Sequence, residues 1–475
     1  MSARCAVLIL CAGTILCSGL AGCAVGPNFH RPAAPSVASY RDGGDGAAAP
    51  GPIAGNWWHA LGNAQVDALV ERGLTGSPQI DAAKARLRSA EASLRAGYGA
   101  FFPQASASFD ATREKYSLTR LGVSNNSNVF SVFTPSLSVS YLLDIFGANR
   151  RTVEALGATA VAERETLRGT QLTLAGNIAT TAIARAAFHE EVEAWDAIVG
   201  ADEVQLAAAH ARTVAGTQPL SSEIVLSNQL ETARIDRNAA RVKARQADDT
   251  LAVLIGSPPA GAGLPSLTLA DFSPAGSVPL RLPSELVRHR PDILVAEATA
   301  HAASAQVGVA TAAMLPQITL SASTGSTTNN FERLFTSGTG VWSYAAGVAA
   351  PIFEGGTLIN RRKAAKATFV ATMADYRQTV LTAFGQVADA LTANAEDGAA
   401  DAAATKAFAD ADLAWHLAQT NAGAGLLSAA DLEAARVTWQ QARIAALSAR
   451  STHLQDIVAL YVALGGGDLT EAAKE

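Results

Sequence analysis

The chain is two copies of one unit. Ser77-Pro78-Gln79-Ile80 opens an Ala-rich run that ends at Phe101-Phe102-Pro103-Gln104, and Arg290-Pro291-Asp292-Ile293 opens another that ends at Met314-Leu315-Pro316-Gln317. The prolines of both pairs stand 213 residues apart. Ile145-Phe146 with Asn149-Arg150-Arg151 is echoed by Ile352-Phe353 with Asn360-Arg361-Arg362, and Ala215-Gly216 with Leu220-Ser221 by Ala422-Gly423 with Leu427-Ser428. Four landmarks in one order define a repeat of roughly 210 residues: helix, strand hairpin, long helix, tip, long helix.

Within each copy the hydrophobic period changes from two to three and a half. Ala105, Ala107, Phe109 and Ala111 alternate with Gln104, Ser106, Ser108 and Asp110, and Phe133 to Tyr141 alternates with Thr134 to Ser140. Ile318, Leu320 and Ala322 against Thr319, Ser321 and Ser323, followed by 341–352, repeat the pattern. An apolar face backed by small polar side chains fits a barrel strand between lipid and a wet lumen. Phe102, Phe130, Trp342 and Tyr344 suit the membrane interface. The Ser/Thr/Asn-rich stretches 113–128 and 326–340 suit external loops.

After each hairpin, steps of four and three run through Leu226, Leu230, Ala233, Arg237, Ala240, Ala244, Ala247, Leu251 and Leu254. Phe369, Met373, Tyr376, Val380, Ala383, Val387, Ala390 and Asn394 do the same in the second copy. A sustained 3.5 period predicts supercoiled helices. No proline interrupts 149–212, and ~60 helical residues extend roughly 90 Å, too long for a compact domain.

The N-terminus is an address. Arg4 supplies a positive segment, 6–16 an apolar one, and Leu20-Ala21-Gly22-Cys23 resembles the bacterial lipobox, in which the cysteine thiol receives a diacylglyceryl group and the freed amine is acylated. Three acyl chains anchor firmly where one is marginal. Ala24 stands where lipoproteins held at the inner membrane carry Asp, so outer-membrane sorting is expected. The prolines at 27, 32, 35, 50 and 52 make the following stretch an extended tether. No later stretch offers the ~18 apolar residues of a membrane-spanning helix, so any crossing must use strands. Four strands per chain cannot close a barrel, for which about eight is the minimum. Oligomerisation follows.

With 49% hydrophobic residues and 16% charged, the chain is not disordered, and a net charge of −6 argues against a nucleic-acid binder. All four cysteines lie in the first 23 residues, which removes disulfide, cysteine-metal and thiol-nucleophile chemistry from the rest. The histidines at 30, 59, 189, 210, 289, 301, 416 and 453 show no His-x-x-x-His spacing, and no nucleophile elbow or phosphate-binding loop occurs. Gly423-Ala424-Gly425 lacks the third glycine and preceding strand of a dinucleotide fingerprint. The expectation is no enzyme, no cofactor beyond covalent lipid on Cys23, and no metal site.

Together the landmarks resemble the TolC-like outer membrane efflux proteins, and among them the lipoproteins of resistance-nodulation-division tripartite efflux systems. The residues that carry the resemblance are Cys23 to Pro32, Trp57-Trp58, Asp144-Ile145-Phe146-Gly147, Leu282 to Leu286 through Arg290-Pro291-Asp292-Ile293, Pro351 to Gly356, and Leu460 to Gly467. Ser77, where many members have Asn, and Asp468, in place of Trp, depart from the pattern. The resemblance implies a mixed α and membrane β-barrel fold: a homotrimer whose twelve-stranded barrel stands on a helical periplasmic tunnel, reached by an inner-membrane pump through a periplasmic adaptor. It also implies an outer-membrane, lipid-anchored channel that exports small molecules. A type I protein-secretion channel shares the tube, and a lipid-anchored coiled-coil surface stalk shares the heptads, but a stalk does not need two barrel hairpins.

The expected organisation is a signal peptide at 1–22, a lipidated tether at 23–56, a first repeat at 57–256 with hairpin 102–145 and tip 215–222, and a linker and equatorial segment at 257–283. A second repeat at 284–465 with hairpin 315–353 and tip 422–428 follows, then a tail at 466–475. Gly216, Leu220, Ser221, Gly423, Leu427 and Ser428 form the tips that the resemblance brings to the adaptor, with Ser221 and Ser428 as N-caps. Asp431 and Arg450 resemble the family's acidic pore-end ring and its basic partner, and are the expected gate; Glu433 and Arg436 depart from that spacing.

Overall fold

The structure is a computed structural model that describes residues 24–37, 39–40, 51, 53–117, 127–274, 278–281 and 283–467. Eight α-helices and four strands carry the two copies. The first has α1 (Ala64–Gly76), α2 (Pro78–Tyr98), β1 (Gln104–Ser117), β2 (Ser127–Leu143), α3 (Ala148–Val214) and α4 (Leu220–Leu254). The second has α5 (Pro283–His289), α6 (Pro291–Ala312), β3 (Gln317–Ser326), β4 (Gly340–Ala349), α7 (Thr357–Gly423) and α8 (Ala429–Ala463). α3 and α7 have 67 residues each and α4 and α8 have 35 each.

The repeat is closer than the sequence landmarks suggest. Three glycines with positive φ punctuate the first copy, at Gly147 before α3, Gly216 at the tip and Gly256 after α4, and each recurs 209 residues on at Gly356, Gly425 and Gly465. A side chain is strained at such φ, so these glycines fix where the chain turns. The tip partner of Gly216 is therefore Gly425 and not Gly423, which is the last residue of α7. Asn360-Arg361-Arg362 likewise stands two residues out of step with Asn149-Arg150-Arg151. The strand hairpins are shorter in the second copy, which takes the spacing from 213 before them to 209 after.

By contacts the described residues form two compact units, one of residues 24–32, 87–163 and 296–376, the other of 33–86, 164–295 and 377–467. The first holds the sheet, antiparallel in the order β1-β2-β3-β4. Its register separates the two predicted faces. Ala105↔Val139↔Ala322↔Tyr344 and Leu143↔Ile318↔Val348 line one side, while Ser106↔Ser138↔Ser323↔Ser343 runs across the other. On that polar side, serine hydroxyls pair between strands at 2.9 Å for Ser106 and Ser138, 2.9 Å for Ser108 and Ser136 and 2.8 Å for Ser323 and Ser343. β1 and β2 run on into the stretch expected as a loop, to Ser117 and from Ser127. Residues 118–126 of that loop lie outside the described residues. The loop between β3 and β4 falls where it was expected.

In the second unit the helices bury the heptad positions: Leu230, Ala233, Ala240, Ala244, Ala247 and Leu251 of α4, and Val380, Ala383 and Val387 of α7. Leu174, Ile178, Ile183, Leu251, Leu286, Ile293 and Leu454 are fully covered. Three of the six motifs behind the family resemblance, at Trp57-Trp58, around Arg290 and at Leu460 to Gly467, meet here. Trp57 stacks on Tyr461 at 5.3 Å, Arg290 donates to the Ala463 carbonyl at 2.8 Å and to Gln386, and Arg281 donates to the Leu464 carbonyl at 3.1 Å. The guanidinium groups of Arg281 and Arg290, in buried residues, thus satisfy main-chain acceptors near the C-terminal end of α8, where cations are favoured.

Among the described residues no helix is long and apolar enough to cross a membrane. The sheet can cross only as a closed barrel, yet β1 and β4 each pair on one side only. A strand edge in hydrocarbon leaves peptide groups unsatisfied at several kcal/mol each. The chain must therefore find strand partners in further copies, three of which give twelve strands. Light scattering of the detergent-solubilised protein, with detergent subtracted, is expected to give three chains per particle. A monodisperse monomer with the full strand content would refute the shared barrel.

Candidate functional site

For a conduit the functional parts are the wall, the anchor and the ends. The wall of the sheet is the serine-lined face already described. It offers mainly hydroxyls, joined on β1 by the carboxylates of Asp110 and Glu114, so it is a wettable face with some negative charge.

Cys23 lies outside the described residues, and the chain is tied down directly after it. The Val25 N–H donates to the Phe146 carbonyl at 3.1 Å. Arg151, with its side chain 5% exposed, donates to the Val25 carbonyl at 3.2 Å, to Asn28 Oδ1 at 2.7 Å and to Glu154 at 2.7 Å. His301 meets the other oxygen of Glu154 at 2.9 Å and stacks on Phe29 at 4.7 Å. Burial opposes charge on Glu154, but the bonds from Arg151 and His301 outweigh it and hold its pKa below the ordinary carboxylate value. Arg31 and Glu297 close the set at 2.8 Å. Gly26 and Gly308 make this approach possible, since a Cβ on Gly26 would collide with Gly308 and one on Gly308 with Arg151. The segment is thus clamped onto α3 and α6 through its backbone, which an extended tether read from proline content alone did not anticipate.

The two tips are built alike and capped differently. Gly216 donates to the Thr213 carbonyl and Thr217 to Arg212; Gly425 donates to Ala422 and Leu426 to Asn421, all at 2.9–3.0 Å. Ser428 is the N-cap of α8, its hydroxyl accepting from the Asp431 N–H at 3.2 Å. Ser221 is not a cap: α4 starts at Leu220, and the N-cap is Pro219, which has no side-chain acceptor. Leu220 is 58% exposed, and Leu426 beside Leu427 is 77% exposed. Behind the tips, α3 and α4 are tied by Arg234–Glu203 at 2.9 Å, Arg241–Asp196 at 2.8 Å and Gln229–Asp202 at 2.8 Å. Burial raises the pKa of Asp202 against that last bond.

Asp431 and Arg450 do not meet. Asp431 is exposed, and its carboxylate accepts from the Ser428 hydroxyl at 2.6 Å. Arg450 is nineteen residues further along the same helix, a rise of roughly 28 Å. It binds Asp401 of α7 at 3.1 Å and the Phe272 carbonyl at 3.4 Å. Glu433 and Arg436 pair with each other at 3.5 Å.

Around Arg450 the structure assembles a group that sequence reading missed. Asp401 also accepts from His453 at 3.2 Å, and Gly398 leaves room for that imidazole. One turn on, Asp456 faces Asp397. Burial, then the hydrogen bond and like charge of Asp397, push the Asp456 carboxyl up to about 6. The spacing of Asp397 and Asp401 on α7, and of Arg450, His453 and Asp456 on α8, puts each set on one helical face, a signal available in the sequence. Which face met which was not. Among the described residues, no group of three His, Cys, Asp or Glu side chains is arranged to hold a metal ion.

Comparison with known proteins agrees with this geometry. Residues 69–257 and 282–466 match the family described as outer membrane efflux protein, one match to each copy. A pyoverdine export outer membrane protein, OpmQ of Pseudomonas aeruginosa, is 32% identical over 428 residues, covering 86% of this chain and 87% of that one. The solvent efflux pump outer membrane protein SrpC of Pseudomonas putida is 30% identical over 468 residues, covering 94% and 96%. The open state of the MtrE outer membrane channel of Neisseria gonorrhoeae superposes with a TM-score of 0.82 at 27% identity, covering 94% of this chain and 98% of that one.

Asp456 supplies a pH test of the α7–α8 contact. Its pKa in the folded chain lies above that of an unfolded aspartate, so the folded state holds the extra proton between about 4 and 6 and loses stability as pH rises through that window. Asp456→Asn stays neutral and can donate to Asp397. Thermal unfolding is expected to show the variant a few degrees above wild type at pH 7.5, with the gap closing toward pH 4. A gap that is constant with pH would show that the two acids do not share a proton.

Proposed function

Because the chain belongs to the outer membrane efflux protein family, we propose that three copies form one conduit, anchored by lipid on Cys23 and entered at its helix tips from a periplasmic adaptor and inner-membrane pump. The protein itself is an outer membrane efflux channel, from a family of transport channels and not a class of enzymes. The observation that carries the proposal is a sheet with one serine face, one apolar face and two open edges, joined within eight residues to helices of 67 residues. Such helices run about 100 Å, long enough for a periplasmic tunnel. The chain supplies passage and no chemistry; export is driven by the pump.

The cargo is small molecules. Relatives named for pyoverdine export and solvent efflux support that reading over protein secretion. At the tips, exposed Leu220 and Leu426, with half-buried Leu427 beside the latter, offer small apolar contacts to an adaptor, and Gly216, Gly423 and Gly425 keep the turns narrow. Ser221 lies on the first turn of α4, and Ser428 holds the start of α8. Asp431, three residues beyond that cap, becomes a ring of three carboxylates when copied by symmetry, which attracts cations to the periplasmic opening. Arg450 acts elsewhere, as a fastener between α7, α8 and the linker, so the expected gate reduces to Asp431.

Two measurements test these assignments. Labelled palmitate is expected to enter the wild-type protein and not Cys23→Ser, with a lower outer-membrane yield of the variant; labelling at the wild-type level would remove the lipid anchor. In planar bilayers, Asp431→Ala should weaken block by multivalent cations several-fold with trimer assembly unchanged. Equal block would place Asp431 on a solvated face.

A further inference from the structure

The first turns of α7 carry a charge that the chain does not neutralise. Arg361, Arg362, Lys363 and Lys366 fall within six positions, and no acidic residue occurs between Glu354 and Asp375. Among the described residues none of the four makes an ion pair or side-chain hydrogen bond, whereas Arg150 and Arg151 at the start of α3 are both held by carboxylates. The corresponding end of the first copy is thus satisfied within the chain and that of the second is not.

Arg362 and Lys366 border a groove of about 550 Å³ within one compact unit, whose other walls are Gly26 and Pro27 of the clamped segment, Val307 and Thr311 of α6, and Phe369 and Val370 one turn further along α7. The groove begins three residues after Cys23 and thirteen residues after β4 leaves the sheet. On the strand side of the cations, apolar side chains stand uncovered: Val348 is 69% exposed, Ile352 98% and Phe353 88%. Apolar residues on the membrane side of unpaired cations match the order of parts in a phospholipid, acyl chains first and phosphate next.

We propose that this groove binds an anionic phospholipid of the periplasmic leaflet, its phosphate on Arg362 and Lys366 and its acyl chains running over Ile352 and Phe353. The inference rests on the outer-membrane location and goes beyond the conduit reading, since a channel does not need a lipid site. Charge complementarity selects the ligand: four cations without a carboxylate partner in their own chain favour a headgroup with net negative charge over a zwitterionic one. Near a membrane surface each basic residue contributes enough to change affinity by about fivefold, so losing two should weaken binding by roughly an order of magnitude or more.

Native mass spectrometry of detergent-solubilised, full-length protein tests it. Dioleoyl phosphatidylglycerol should be retained at about tenfold lower concentration than dioleoyl phosphatidylcholine. In Arg362→Gln/Lys366→Gln that preference should disappear, while Lys406→Gln, further along α7, leaves it intact. Equal retention of phosphatidylglycerol by wild type and double variant overturns the site. Displacement of the lipid by millimolar inorganic phosphate also overturns it, leaving an anion site alone. Binding that emerges only in Cys23→Ser would assign the groove to the protein's own acyl chains, again against the proposal. Conductance of the same double variant in planar bilayers keeps the readings apart: a conducting variant with unchanged lipid binding removes the lipid site and leaves the channel standing.

Discussion

A β-sheet with open edges cannot rest in hydrocarbon, and that constraint governs this protein. Among the described residues β1 and β4 each lack a neighbour on one side, and no side chain can compensate a whole row of peptide groups. The remedy is another copy. Once copies are required, the apolar face of the sheet turns to lipid and the serine face encloses water. The interstrand serine pairs then satisfy hydroxyls on the wetted surface.

The same constraint explains where the duplication is strict and where it is loose. The long helices match at 67 residues and the return helices at 35, with turning glycines at one fixed spacing. Helices that line one wall side by side must begin and end together, or buried heptad positions would face the wrong neighbour. Strands answer a weaker demand. β3 and β4 have 10 residues each, near the minimum for a tilted membrane crossing, whereas β1 and β2 continue to 14 and 17. Extra strand length beyond the lipid costs little, so the copies drift apart there.

Charge is handled by the same division between copies. Arg151, Glu154 and His301 bind the segment after Cys23 to α3 and α6, and among the described residues nothing equivalent occupies the start of α7. On the α7–α8 side, Arg450 and His453 share one carboxylate, and Asp456 faces Asp397 nearby. These groups lie well along the helices from the tips. They fasten helix to helix, and the tip is left with Asp431, exposed Leu426 and turning glycines.

The sequence by itself determined the duplication, the two-faced strands, the heptads, the need for several copies and the family, because each follows from local period or from a count. Residues that alternate or recur every three and four positions reveal their own face without a partner. It also placed the tips, though by two residues askew, since landmark residues such as Asn149-Arg150-Arg151 need not keep step with backbone turns. The tertiary structure decided the rest: that Gly216 answers Gly425, that Pro219 caps where Ser221 was expected, and that Arg450 belongs to Asp401. A helix spacing shows which residues share a face but not the rotation or the height at which another helix meets it. Those are set by close packing of alanines and glycines over the whole length of the pair, and no single stretch of sequence contains them.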